Sequence, residues 1–177
     1  MTAASRTDIT RLSIGQCATL ACLLEVSAPK PGNVHRSADF EDVTFVDFAV
    51  SAVAIAPAME QAALAGIGAA VLQAIHATRQ LVHTNTNLGT VLLLAPLAAV
   101  PRNEPLREGV SALLRRLTAT DSANVYEAIR VAAPGGLGKV SEMDVAEQPP
   151  ACLLAAMQAA AARDLVARQY VNDFATV

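Results

Sequence analysis

The sequence contains no tryptophan, and aromatic residues of all kinds make up 3% of it. A stacking platform for the bases of a nucleic acid is therefore missing. Charge is scarce as well: Asp, Glu, Lys and Arg together supply 16%, below the ordinary quarter. The net charge of −3 leaves no basic excess to neutralise a phosphate backbone, so a nucleic-acid partner is not expected. Cysteine is limited to Cys17, Cys22 and Cys152, an odd set without Cys-x-x-Cys spacing. It reads as buried free thiols in a reducing compartment rather than as a disulfide or metal framework. Long apolar runs are absent too. Phe48 to Met59 stops at Glu60-Gln61 and Leu88 to Val100 is interrupted by Pro96, both short of the roughly 20 residues that span a bilayer. Met1 to Thr10 lacks the basic start and apolar middle of a signal peptide. A cytoplasmic protein without a membrane partner is expected.

What the chain does have is small aliphatic residues. Hydrophobic residues make up 53% of 177 positions, with alanine prominent. Alanine is the best helix former and is depleted in strands, so the expected fold is all-α, a single-domain multi-helix bundle with long polar turns over residues 1–177. The helical pattern reaches Val177 without a stop signal. Further C-terminal helices, or another copy in a homo-oligomer, are expected to cover it.

Taken in order, Ser13 and Gln16 form a capping box for a helix over Arg11 to Ser27, with Ile14, Cys17, Ala21 and Leu24 at helical spacing. Thr44 and Asp47 form a second box, starting a helix that runs to about Met59. A helix over Ala62 to Val82 follows, in which Gly66 and Gly68 permit close approach of a neighbour. Helices over Glu104 to Thr120 and Ser122 to Ala132 come next, the second capped by Asp121 or Ser122. Arg102, Arg107, Arg115 and Arg116 belong on solvated faces. Pro134 to Lys139 fails as a phosphate loop, because Ala133 occupies the first glycine position and Val140 follows the lysine. It reads as a helix C-cap and an ordered loop to Pro150. The last helices cover Cys152 to Ala161 and a continuation with Asp164 and Arg168 at i,i+4 spacing.

Ala28-Pro29-Lys30-Pro31-Gly32-Asn33-Val34-His35-Arg36 cannot be helical. Each proline fixes its own φ and holds the residue before it extended, and Gly32 then permits a sharp reversal. The result is a rigid cationic turn. Glu25, just before it, is either a solvated edge residue or a carboxylate directed into a site beside the turn. Asp39, Asp42 and Asp47, just after it, are either helix caps or ligands for Mg²⁺, a hard cation that takes one or two carboxylates together with substrate phosphates. His76 and His83 are seven residues apart, too far for an ordinary chelating pair. Thr84-Asn85-Thr86-Asn87-Leu88-Gly89-Thr90 crowds capping side chains at one helix start, more than stability needs, and such a start suits an anion.

Glu25-Val26-Ser27-Ala28-Pro29-Lys30-Pro31-Gly32, then Asp42, then Asn85-Thr86 with Gly89, resembles the triphosphoribosyl-dephospho-CoA synthase family over most of the chain. The resemblance implies an all-helical transferase. Members move the triphosphoribosyl group of ATP to the ribose 2′-hydroxyl of 3′-dephospho-CoA and release adenine, giving the precursor of an acyl-carrier-protein prosthetic group. Some positions depart from the family pattern. His35 stands where an aspartate is usual, Phe40 where a histidine is, and Asn87-Leu88 where His-Lys is. Members are also usually longer, with an Arg-Gly-Gly motif near the C-terminus. The chain is similar to a divergent branch associated with one-carbon pterin cofactor genes.

On this reading Lys30 and Arg36 hold phosphates, flanked by Asn33 and His35. Asp39 and Asp42 carry Mg²⁺ as cofactor. Thr84, Asn85, Thr86, Asn87 and Gly89 bind phosphate or sugar, and Glu25 or Asp42 accepts the attacking hydroxyl's proton. The partners implied are ATP and a CoA-like or other small acceptor. A related phosphate-using enzyme of pterin cofactor synthesis and a non-catalytic nucleotide-binding module remain the alternatives. The turn and the 84–89 segment are expected to face one another across a cleft.

Overall fold

Three capping boxes set where three of the helices begin, because each satisfies N–H groups that a helix start leaves without partners. Ser13 with Gln16 opens α1 (Ile14–Ser27), Thr44 with Asp47 opens α2 (Phe45–Ala54), and Thr118 with Asp121 opens a later helix over Ala119–Ala132. The first two agree with the spacing of their residues. In the third, Thr118 is the cap and Asp121 its reciprocal partner, so the helix starts a turn earlier than a cap at Asp121 or Ser122 would place it. The computed structural model describes residues 8–135 and 143–176, and it is all-α. Residues 136–142 of the glycine-rich loop, residues 1–7 and Val177 lie outside the described residues.

Several expected helices are divided, each for a local reason. A short 3-10 turn, Ile9–Arg11, precedes α1 where one helix from Arg11 was expected. The helix from Thr44 breaks at Ile55, because Pro57 cannot donate to the preceding turn, and resumes as α3 (Ala56–Glu60). Gly66, at φ 87°, separates α4 (Ala62–Ala65) from α5 (Ile67–Leu81), a backbone angle that a residue with a Cβ rarely adopts. Gly66 is thus a break, and Gly68 alone provides the close approach. After α6 (Leu88–Ala98), α7 spans Leu106–Leu114, shorter than expected, since Pro105 sets its start and the Thr118 cap opens the next helix soon after its end. The helix from Thr118 is α8 (Ala119–Ala132), ended by Ala133 in the left-handed region at φ 45°. α9 (Leu153–Ala160) and α10 (Leu165–Val171) complete the order.

The core is one cluster running from Ala18 on α1 to Phe174 beyond α10. Ile55, Met59, Val71, Ile75, Val91, Val125 and Tyr170 are buried at its centre. α5 lies in the middle and packs chiefly on α8, with α2, α3 and α6 around it. No helix among the described residues is long and apolar enough to cross a membrane.

Two further expectations are corrected. Cys17 and Cys152 are free but exposed, and Cys22 is half-buried, packed against the edge of the core. Burial and the nearby Glu25 push the Cys22 thiol up to about 11, which keeps it protonated and unreactive. Asp164 does not pair with Arg168. Its Oδ1 accepts from the N–H groups of Val166 and Ala167 and caps α10, while Arg168 Nε donates to Ala161 O. Arg102, Arg107, Arg115 and Arg116 are exposed, as their setting implied.

The caps carry a pH dependence. Hydrogen bonds from the Thr44 backbone and hydroxyl hold the Asp47 carboxyl below its ordinary range. At Asp121, burial pushes the other way, but bonds from Thr118 and Gly68 outweigh it and the net shift is also downward. A carboxyl depressed in the folded state adds stability that is complete above its unfolded pKa of about 3.9 and is lost as pH falls through the folded value. Thermal melts should therefore show a Tm that is flat above about pH 5 and falls below about pH 4. Asp121→Asn should lower the plateau and shrink the fall. A fall of unchanged size in this variant would remove Asp121 from the explanation.

Candidate functional site

The site is built outward from α2, which touches one segment at its start and another along its side. On one side lies the turn after α1. Lys30 O accepts from Asn33 N–H at 3.2 Å, with Pro31 and Gly32 as the central residues and Gly32 at φ 78°. That is the arrangement of a type II turn, with proline supplying the first φ and glycine the positive second one. Val34, 4% exposed, pins the turn to the protein body. His35 and Ala38 then exchange backbone hydrogen bonds, and His35 Nδ1 accepts from Ser37 N–H at 3.3 Å. Asn33 and Arg36 stay exposed, and no described residue accepts from the Arg36 guanidinium.

Lys30 has a partner. Its Nζ donates to Glu25 O at 2.9 Å, closing the C-terminus of α1, and forms an ion pair with Glu25 Oε1. Glu25 is therefore neither a lone solvated residue nor an isolated carboxylate, but the counter-charge of the lysine. Both side chains are partly exposed, at 35% for Lys30 and 52% for Glu25. Solvent weakens such a pair. One ammonium N–H remains for a ligand.

The chain returns to α2 through Asp39, whose Oδ1 accepts from Phe45 N–H at 2.6 Å at the helix start. On the other side of α2 stands the 84–89 segment. Ser51, fully buried, donates its hydroxyl proton to Asp47 O, and its oxygen lies 2.6 Å from Thr86 Oγ1. A serine has one such proton, so Thr86 must donate to Ser51, which leaves Thr86 an acceptor and not a phosphate donor. His83 is exposed and close enough to Asp47 for its charge to help hold that carboxyl down. Ser51 and His83 have no motif to announce them; their proximity to the segment follows from how α2 and α5 pack.

At the start of α6 the cap is Asn85, whose Oδ1 accepts from Leu88 N–H at 3.1 Å. Asn87, though at the cap position, turns inward, and its Nδ2 donates to Thr78 Oγ1 at 2.9 Å. Its Oδ1 is a buried acceptor with no donor among the described residues. Val91 N–H reaches Asn87 O, but among the described residues no acceptor meets the N–H groups of Gly89 or Thr90. Two free donors at the positive end of an eleven-residue helix are a place for an anion. Thr84 is half-buried and makes no hydrogen bond with a described residue.

Among the described residues no hydrogen bond or ion pair runs directly between 29–36 and 84–89. They are joined through α2, by Asp39 at its start and Ser51 along its side. No group of three or more metal-ligating side chains occurs among the described residues. Asp39 keeps Oδ2 and Asp42, exposed, keeps both oxygens. Two carboxylates with open oxygens match what Mg²⁺ takes from a protein when substrate phosphates complete its shell.

A cavity of about 650 Å³ lies apart from these residues, bordered by α6, α8, α9, α10 and residues 143–146. None of the candidate residues lines it.

Comparison with curated proteins and with solved structures gave no match. Comparison with protein-family models matches residues 11–177 to CitG, described as ATP:dephospho-CoA triphosphoribosyl transferase. That span holds the whole described helical body except its first few residues, and both halves of the candidate site. The chain thus belongs to the ATP:dephospho-CoA triphosphoribosyl transferase family.

Proposed function

We propose that the turn at Lys30–Arg36 and the start of α6 are the two sides of the site at which this transferase holds ATP. The observation that carries this reading is the pair of unpartnered N–H groups at Gly89 and Thr90, bound through α2 to the cationic turn. The triphosphate takes these N–H groups, the remaining N–H of Lys30 and the fork of Arg36. Asn87 Oδ1, a buried acceptor, suits a sugar hydroxyl rather than a phosphate, which has only acceptors at neutral pH.

Transfer breaks the bond between C1′ of the ATP ribose and adenine and forms one from C1′ to the 2′-oxygen of dephospho-CoA. The hydroxyl proton leaves for a base, and adenine departs after taking a proton. Asp42 is the better base, because Glu25 is engaged by Lys30. Mg²⁺ held by Asp39 would offset triphosphate charge when bound and leave Asp42 free as the base. We place the protein in the cytoplasm as a homo-oligomer, which would cover the exposed Leu24, Val46 and Val53 of α1 and α2.

Lys30→Ala should slow ATP-dependent adenine release by about 10- to 100-fold, the value of one hydrogen bond to a charged group. Chromatographic measurement of adenine, with circular dichroism to confirm folding, makes the test. An unchanged rate would exclude the turn from the site. ATP binding by the parent protein without adenine release would identify a nucleotide-binding module instead.

A further inference from the structure

The cavity between α6, α8, α9 and α10 is lined by none of the residues proposed to hold ATP, yet it adjoins the same helix. A Cβ placed on Gly89 would stand 3.6 Å from Val166 Cγ2, and Val166 lines the cavity. Leu92, one turn further along α6, lines it as well. One wall of the cavity thus lies about one helical turn, some 5 Å along the axis, from the N–H groups proposed to hold the triphosphate. Its volume of about 650 Å³ falls within the range of small-molecule sites, and its walls are mostly apolar, including Ala156, Met157 and Ala160.

Its polar groups are largely engaged. Tyr126 Oη donates to Met143 O at 3.0 Å. Arg130 donates to Glu127 Oε2 through Nε and Nη2 and to Val145 O through Nη1. Asp164 caps α10. Arg163 differs: it is exposed at the rim and uses a single N–H, on Ala159 O at 3.3 Å. The rest of its guanidinium meets no acceptor among the described residues.

We infer that this cavity receives the pantetheine arm of the acceptor, with Arg163 on the adjoining pyrophosphate. The inference rests on the acceptor being dephospho-CoA. That molecule has an adenosine, whose ribose reacts, at one end and, beyond two phosphates, a narrow arm with a gem-dimethyl group, two amides and a thiol. A ribose at α6's start requires the arm to leave along some channel. This cavity offers apolar walls and a free cation at its rim. Arg163 binds a phosphate at a distance from the transfer and is not a catalytic residue.

Titration calorimetry with 4′-phosphopantetheine alone tests the site without requiring turnover. The parent protein should bind the probe, and Ala160→Trp should weaken it at least about tenfold while ATP affinity holds, since an indole fills space the arm needs. Ala156→Leu gives a milder filling that is safer for folding and should weaken the probe several-fold. Arg163→Gln should weaken 4′-phosphopantetheine but not pantetheine, which lacks the phosphate. Probe binding that is lost in Ala160→Trp supports the arm site even where adenine release fails and the transfer mechanism falls. No probe binding by a parent protein that does release adenine would overturn the inference and leave the ATP site standing. Equal affinity in the parent and both filled variants would overturn it too.

Discussion

Tyr170→Phe is expected to destabilise the protein by about 2 kcal/mol, although it removes one oxygen atom from a side chain that touches no ligand site. The reason lies 78 residues away in α6. Pro96 sits inside that helix and has no N–H, so the carbonyl four residues earlier, Leu92 O, loses its helical donor. Tyr170 replaces it: its hydroxyl donates to Leu92 O at 2.7 Å, and the side chain is 1% exposed. Burial pushes the phenol's pKa far up, so the proton remains in place throughout the accessible pH range. Phenylalanine would keep the packing on Phe174, whose ring centroid is 5.4 Å away, and leave a buried carbonyl without a partner. For a chain of this size the fall in Tm should be about 4–8 °C. Pro96→Ala supplies the control. It restores an N–H to Leu92 O, so Tyr170→Phe in that background should cost at least about 1 kcal/mol less. Equal costs in the two backgrounds, measured by urea unfolding, would show that the hydroxyl does not substitute for the missing donor.

Gly68→Ala should cost about 3 kcal/mol, more than adding a single methyl to a core usually does. A Cβ at Gly68 would lie 2.5 Å from Asp121 Cα and 2.7 Å from Asp121 O. Those atoms are backbone, so no side chain can rotate aside. α5 and α8 would have to separate, at the most extensive helix contact among the described residues. Separation would also stretch the 2.9 Å bond from Gly68 N–H to Asp121 Oδ1, the same carboxylate that completes the Thr118 box. Gly135→Ala is the matching control, since its added methyl meets no described residue within 4 Å, and it should change stability by less than about 0.5 kcal/mol. If the two variants unfold at the same urea concentration, the close approach at Gly68 is not what holds α5 to α8.

The family match sharpens what these tests mean for function. α6 carries the two free N–H groups at its start, the proline in its body and a wall of the cavity. Tyr170 keeps that helix continuous, and α5 against α8 supports it from behind. A loss of activity in Tyr170→Phe would accordingly act through the position of α6.

Much of the molecule was legible in the sequence where the physics is local. The boxes at Ser13 and Thr44 depend on side chains reaching three residues along the chain, and Lys30-Pro31-Gly32-Asn33 dictates its own turn through one fixed φ and one positive φ. Alanine content and helical spacing were enough for the all-α class. The broken helices were less visible, because one proline or glycine can interrupt a helix or be carried within it, depending on what packs beside it. Pro96 shows the second outcome and Pro57 the first.

Tertiary structure alone decided which groups at the site are free. Asn85, Thr86 and Asn87 look equivalent in the sequence, yet one caps α6, one gives its proton to Ser51, and one turns inward to Thr78. Lys30 has a counter-charge five residues back. Pairings such as Gly68 with Asp121 or Tyr170 with Leu92 join residues 53 and 78 apart, and they exist only because particular helix faces meet. The sequence by itself determined the all-α class, the caps at Ser13 and Thr44 and the cationic turn, since these follow from each residue's covalent geometry and its nearest neighbours. Packing decided the rest, because a donor is free only when no folded partner reaches it.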